Sequence, residues 1–231
     1  MLDLERRGFA ALTFDCYGTL IDWETGILAA LRTLLRAHAI SLPESEVLES
    51  YARLEAEAEA GTYKPYRKVL RSVVEGFGRT HGFAPTAAES RVLEESLPSW
   101  EPFPDTVTAL QALASRHALV VLSNVDDDLF ASTAAKLSVS FTAVITAQQV
   151  RAYKPAEAHF RTALRTLALP ADRVLHVANS LYHDVEPAKR LGMATVWVHR
   201  RRGRDGATLA TEVHPDLVVA DLQELVARLG A

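Results

Sequence analysis

One cysteine, Cys16, stands among 231 residues. A single thiol excludes an intramolecular disulfide and any zinc site built on several thiolates, while leaving a lone thiol nucleophile open. A surplus of either charge is also missing, since 25 basic and 29 acidic residues leave a net charge of −4. That balance offers nucleic acid and anionic membrane no sequence-independent attraction, so neither is expected as a partner. No apolar run approaches the roughly 20 residues of a membrane span. The opening residues also lack the long apolar stretch of a secretory signal. A cytoplasmic protein is the expectation. Hydrophobic residues at 48% and charged residues at 23% match a folded globular chain and exclude wholesale disorder. At roughly 150 residues per domain the length amounts to about one and a half domains, which hints at a core carrying an insertion.

What is present is an alternation. Short apolar bursts at 9–14, 118–122, 141–145, 174–178, 194–198 and 217–220 read as strands buried on both faces. Stretches with helical spacing lie between most of them, at 104–116, 126–137, 157–167 and 185–191. Strand and helix in turn predict a doubly wound parallel α/β sheet with helices on both faces. Residues 23–96 break the rhythm with helical patterns only, at 26–38, 43–60, 66–77 and 86–97, the last after the helix-start signal Pro85. The predicted organisation is an α/β core of residues 1–20 and 98–231 with an inserted all-helical cap of residues 21–97. Glu44, Glu46, Glu49, Glu55, Glu57 and Glu59 within the second pattern read as a solvated helix face without catalytic weight. The basic segment 200–206 reads as an exposed connection.

In an open parallel sheet, ligands sit beyond the carboxyl ends of the strands. Asp15, Tyr17 and Thr19 follow the first burst, Ser123 and Asn124 end the second, and Lys154 lies after the third. Asn179, Ser180, His183 and Asp184 follow the fourth. Each has a plain structural alternative: Asp15 as a turn residue, Ser123-Asn124 as a helix cap, Lys154 as a surface lysine. Their convergence on one crevice is what calls for chemistry.

In order and spacing, Phe14-Asp15-Cys16-Tyr17-Gly18-Thr19-Leu20, Ser123-Asn124, Lys154-Pro155 and the segment Asn179 to Asp184 resemble the four motifs of the haloacid dehalogenase superfamily. The resemblance implies a Rossmann-like core and an aspartate nucleophile, which falls on Asp15. Phosphatases of the superfamily carry a second aspartate two residues later as general acid, and here Tyr17 stands there. They also hold magnesium with an acid pair in the fourth motif, and here Asn179 replaces the first acid. Both replacements resemble the 2-haloacid dehalogenase branch, whose first motif reads Asp-any-Tyr-Gly-Thr.

That resemblance implies a hydrolase of short 2-substituted carboxylic acids with no cofactor and no metal. Asp15 would displace the leaving group and form an ester, and water would hydrolyse it. Lys154 would hold the nucleophile, Thr19 and Asn179 would hydrogen-bond around it, and Asp184 would orient Lys154 or help activate water. Tyr17, Ser123, Asn124 and Ser180 would contact the substrate, a small-molecule carboxylate received at a helix start. His183 reads either as a water-activating base or as a packing neighbour of Asp184. Arg53 is the foremost cap residue for the leaving group, with Arg67 and Lys64 behind it. Leu181 and Phe160 depart from the branch pattern. A magnesium-dependent phosphatase, a hydrolase of small-ring amino acids and a non-catalytic binding protein are the alternatives. A homodimer is compatible with the resemblance.

Overall fold

The computed structural model describes residues 8–200 and 212–231. β1 (Ala11–Phe14) opens the fold and is followed by α1 (Trp23–Ala37), α2 (Glu44–Glu59), α3 (Tyr66–His81) and α4 (Val92–Ser96). There follow α5 (Thr106–Ala114), β2 (Ala118–Ser123), α6 (Asp127–Leu137), β3 (Ala143–Thr146), α7 (Ala147–Val150) and α8 (Ala158–Leu167). The chain continues with β4 (Val174–Ala178), α9 (Glu186–Arg190), β5 (Ala194–Val198), β6 (Leu217–Val219) and α10 (Leu222–Leu229). Among the described residues the strands form one parallel sheet in the order β3-β2-β1-β4-β5-β6. The chain winds outward from β1 to β3, then crosses back to lay β4 against the other side of β1. That reversal is the topological switch point, where a crevice opens at the carboxyl ends of the strands.

Every residue of β1 and β4 is buried, because a parallel strand covered by helices on both faces sees no water. Side chains alternate along the strands into two cores. Leu12, Phe14, Leu119, Val121, Leu175 and Val177 join the larger one, together with the helices between β1 and β2. Ala11, Val120, Leu122 and Val174 meet Phe160 of α8 and Ala188 of α9 on the opposite face. Cys16 continues the first set and is wholly buried. It is the packing residue that strand alternation from Asp15 predicts.

The helices α1 to α4 bury their stripes mainly against one another. In α1 these are Ile27, Leu31, Leu34 and Leu35, and in α2 Val47, Tyr51, Leu54 and Ala58. The first backbone N–H groups of a helix need acceptors, and α3, preceded by Pro65, has no cap of its own. Asp126, in the loop after β2, supplies them, accepting from Tyr66 N at 2.9 Å and Arg67 N at 3.1 Å. One carboxylate therefore fixes the start of α3 to the loop that follows Ser123.

Two expectations need correction. The predicted helix at 86–97 is instead a Thr86/Glu89 capping box, a tight helical turn, the short α4 and another tight turn. Pro98, which has no N–H to donate, prevents its continuation. The helix expected at 185–191 forms as α9, preceded directly by a wider π-turn at Leu181–Val185. Of the basic segment, Arg200 is not exposed: it pairs with Asp105 at 2.6 Å and donates twice to Thr19 O. Residues 201–206 of that segment, like the N-terminal residues 1–7, lie outside the described residues. Among the described residues no helix is long and apolar enough to cross a membrane.

Candidate active site

Asp15 leaves the end of β1 as the chain turns through Cys16 to Leu20. Gly18 makes the turn with φ +94, and a Cβ there would lie 2.9 Å from Trp23 Nε1. Only glycine meets both demands. The turn brings Thr19 Oγ1 back to donate to Asp15 Oδ2 at 2.7 Å, while Thr19 accepts from Asn179 N at 2.9 Å. β1 and β4, neighbours in the sheet, are thereby joined a second time at their ends.

Lys154 arrives from beyond β3. The side chain of Asn124 clamps its backbone, accepting from Lys154 N at 2.8 Å and donating to Lys154 O at 3.2 Å. The Lys154 ammonium then donates to Asp15 Oδ1 at 2.8 Å, Asp184 Oδ1 at 2.6 Å and Leu122 O at 2.9 Å. Its three donors are used. Lys154 is 2% exposed, Asp184 1% and Asp15 9%, so the triad is buried, with Asp15 the member open to the cavity. Beneath it lies His176 of β4, whose Nε2 stands 3.2 Å from Asp184 Oδ1 and whose Nδ1 is 2.8 Å from Thr13 Oγ1.

Burial opposes the charge on Lys154, but Asp15 and Asp184 outweigh it and hold the ammonium above its usual range. Burial would raise the Asp184 carboxyl, yet Lys154 and His176 keep it far below the usual carboxylate range. For Asp15 burial wins, with Asp184 adding to the rise and Lys154 and Thr19 restraining it. Burial pulls the His183 imidazole down to about 4 against the field of Asp184, with Lys154 adding to the fall. His183 is thus held neutral at pH 7. Burial also raises the Cys16 thiol well above its ordinary value, assisted by Asp15. A thiolate nucleophile at Cys16 is not available.

A small cavity of about 70 Å³ holds Asp15, Tyr17, Ser123, Asn124, Lys154, Asn179, Ser180, His183 and Asp184 on its wall. Tyr17 turns its hydroxyl to Thr133 Oγ1 at 2.9 Å and sets its ring edge-on to Trp100. Ser123 Oγ is buried without a hydrogen-bond partner among the described residues. Ser180 caps the π-turn, accepting from His183 N at 3.0 Å. The amide of Asn124 is committed to Lys154.

The helices supply the rest of the wall: Trp23, Glu55, Glu59 and Tyr66. Here the reading of the glutamate-rich helix as uniformly solvated fails. Tyr51, Glu55 and Glu59 are spaced four apart and share one face of α2. Glu55 Oε1 accepts from Tyr51 at 2.8 Å and from Tyr66 at 2.6 Å. Arg53 lies outside this cavity. It is exposed, pairs with Glu57 at 3.0 Å and borders an adjoining groove of about 610 Å³. Glu55 and Glu59 border that groove as well, but a helix turns about 100° per residue, so with Glu55 turned to the inner cavity Arg53 reaches only the groove. Arg67 pairs with Asp128. Among the described residues no arginine lines the inner cavity. Sequence reasoning therefore missed Trp23, Glu55, Glu59 and His176. The i, i+4 run Tyr51-Glu55-Glu59 and a histidine inside an apolar strand were the available signals.

Comparison with known proteins places this geometry. The (S)-2-haloacid dehalogenase of Pseudomonas putida is 25% identical over 194 residues, covering 82% of this chain and 85% of that protein. A second (S)-2-haloacid dehalogenase, from a Pseudomonas species, is 25% identical over 95% of this chain and 97% of its own length. A crystal structure of an L-2-haloacid dehalogenase superposes with a TM-score of 0.81 at 25% identity, covering 96% of this chain and 99% of that one. The L-2-haloacid dehalogenase of Xanthobacter autotrophicus with chloropropionic acid covalently bound, 22% identical, shares the fold with a TM-score of 0.80 over 96% of this chain and 100% of that one. The family model for haloacid dehalogenase-like hydrolases matches residues 9–192. The chain belongs to the haloacid dehalogenase-like hydrolases.

Proposed function

We propose that this hydrolase displaces a leaving group from C2 of a short carboxylic acid, in the manner of an (S)-2-haloacid dehalogenase, with Asp15 as nucleophile. The observation that carries the reading is the Asp15–Lys154–Asp184 triad. Separate hydrogen bonds to its two oxygens, from Lys154 and Thr19, fix the Asp15 carboxylate in one orientation, which is what an in-line displacement requires. An Asp15 oxygen attacks C2, the bond to the leaving group breaks, and a halide departs with the electron pair. Water then adds to the aspartyl carbonyl, with neutral His183 on the cavity wall as the base that takes its proton. The ester opens to a 2-hydroxy acid and the carboxylate returns. Ser123 Oγ, buried and unpartnered, is the donor offered to the substrate carboxylate.

A magnesium-dependent phosphatase is disfavoured by the donor set. Lys154 already bridges Asp15 and Asp184 through one oxygen of each, at 2.8 and 2.6 Å, and supplies the positive charge between them. Asn179 offers an amide where a hard cation favours a carboxylate. The residues do not fit that metal. The helices α1 to α4 act in this reading as a cap that closes the cavity and excludes water. The test is a halide-release screen over chloro-, bromo- and fluoroacids, with and without EDTA. Release unaffected by EDTA is expected, and no release from any small haloacid by folded enzyme would overturn the proposal.

A further inference from the structure

The wall facing Asp15 has the wrong charge for a substrate that is only an anion. The cavity holds four carboxylates, Asp15, Glu55, Glu59 and Asp184, against the one ammonium of Lys154, and that ammonium is saturated by Asp15, Asp184 and Leu122 O. We propose that Glu55 and Glu59 form a subsite for an organic ammonium group, so that the substrate is an amino-bearing 2-substituted carboxylate rather than a plain haloacid. The inference rests on the proposed reaction at Asp15 and names the class of molecule it takes.

Three features point to this chemistry. The first is orientation: both phenols bonded to Glu55 use Oε1, and among the described residues Oε2 accepts no hydrogen bond. Glu59 has no hydrogen-bond or ion-pair partner among the described residues. Burial, and for Glu59 the charge of Glu55, push both carboxyls above their ordinary range, the condition that a cation relieves. The second is the setting. Trp23 and Tyr66 share the wall with the two acids, and aromatic faces beside carboxylates suit an alkylammonium. A metal ion is poorly served, since no group of three or more His, Cys, Asp or Glu side chains gathers among the described residues. The third is Ser123, whose wholly buried, unpartnered Oγ offers a separate hydrogen bond to the carboxylate end of the same ligand.

The test is calorimetric titration of the wild-type protein with 3-aminopropionate and with propionate, neither of which carries a leaving group. We expect 3-aminopropionate to bind tighter by about tenfold or more, the scale of a hydrogen bond to a charged group. Glu59→Gln should abolish that preference, and Glu55→Gln should weaken it. Glu59 holds no other side chain, so its amide variant tests the idea even where Glu55→Gln disturbs the tyrosines. Equal affinities, no binding of 3-aminopropionate, or a preference surviving Glu59→Gln overturns the inference. Turnover separates the two claims. Halide release from 2-chloropropionate without an ammonium preference keeps Asp15 and rejects the subsite, and the preference without halide release from any haloacid, 3-amino-2-chloropropionate included, does the reverse.

Discussion

Replacing Lys154 by methionine keeps the length of the side chain and removes its charge. The ammonium donates to two carboxylates and a carbonyl with only 2% of its surface exposed, so Lys154→Met leaves Asp15 and Asp184 facing each other unneutralised. Breaking a buried ion pair from one side costs about 3–5 kcal/mol. For a domain of 231 residues, at about 2–4 °C per kcal/mol, Tm at pH 7 should fall by about 6–20 °C. The pH dependence follows from the signs. In the wild type the Asp184 carboxyl is held below its unfolded value, so its contribution is present above about pH 4 and lost as pH falls through the folded value. The Lys154 ammonium is held above its unfolded value. Its contribution is complete below about pH 10 and lost as pH rises through the folded value. Asp15, raised by burial, works the other way and lowers stability above its unfolded value. In the variant both carboxyls are pushed upward, and protonating them relieves the repulsion. Urea melts followed by circular dichroism should therefore show a deficit that is largest at pH 7 and narrower at pH 5. A deficit under about 1 kcal/mol at pH 7, the scale of an exposed pair, or one that does not shrink on acidification, would refute the reasoning.

Other outcomes follow from the same contacts. Asp15→Asn should fold and lose turnover by about four orders of magnitude or more, the scale of a lost catalytic nucleophile; substantial residual turnover in steady-state assays would move the nucleophile elsewhere. His176→Leu removes a donor that helps hold the Asp184 carboxyl low, so the stability that Asp184 gives above about pH 4 should shrink in urea melts at pH 7; an unchanged melt would make His176 a packing residue only. Gly18→Ala forces a Cβ against Trp23 at φ +94 and should cost about 1–3 kcal/mol, read as a lowered urea midpoint. Cys16 should resist a thiol reagent in the native protein and react fully in denaturant, whereas rapid native labelling would contradict its burial.

The readable part of this chain was whatever local pattern decides. Val174–Ala178 and Ala194–Val198 are strands in the structure at the bounds their apolar runs suggest, because strands buried on both faces stay apolar at nearly every position, His176 and Thr195 being the buried polar exceptions. The helices α1, α2 and α3 are displaced by a few residues at most, since their buried stripes recur at three and four. The motif residues Asp15, Ser123, Lys154 and Asp184 gather at one crevice because parallel topology brings every strand end to the same side. What could not be read depends on tertiary rotation. Whether Arg53 or Glu55 faces the cavity is set by how α2 rolls against α3, and the tyrosine bonds of Glu55 fix that roll only once both helices are packed. His176 was hidden for a similar reason. Inside an apolar strand it looks like filler until Thr13 and Asp184 meet its two nitrogens.

The central claim is that the oxygen delivered to substrate comes first from Asp15. The direct measurement is mass spectrometry of the Asp15 peptide after multiple turnovers in heavy-oxygen water, using whichever haloacid releases halide. The account predicts heavy oxygen in the Asp15 carboxylate. Label confined to the product hydroxyl, with none at Asp15, would contradict it and leave water as the direct nucleophile.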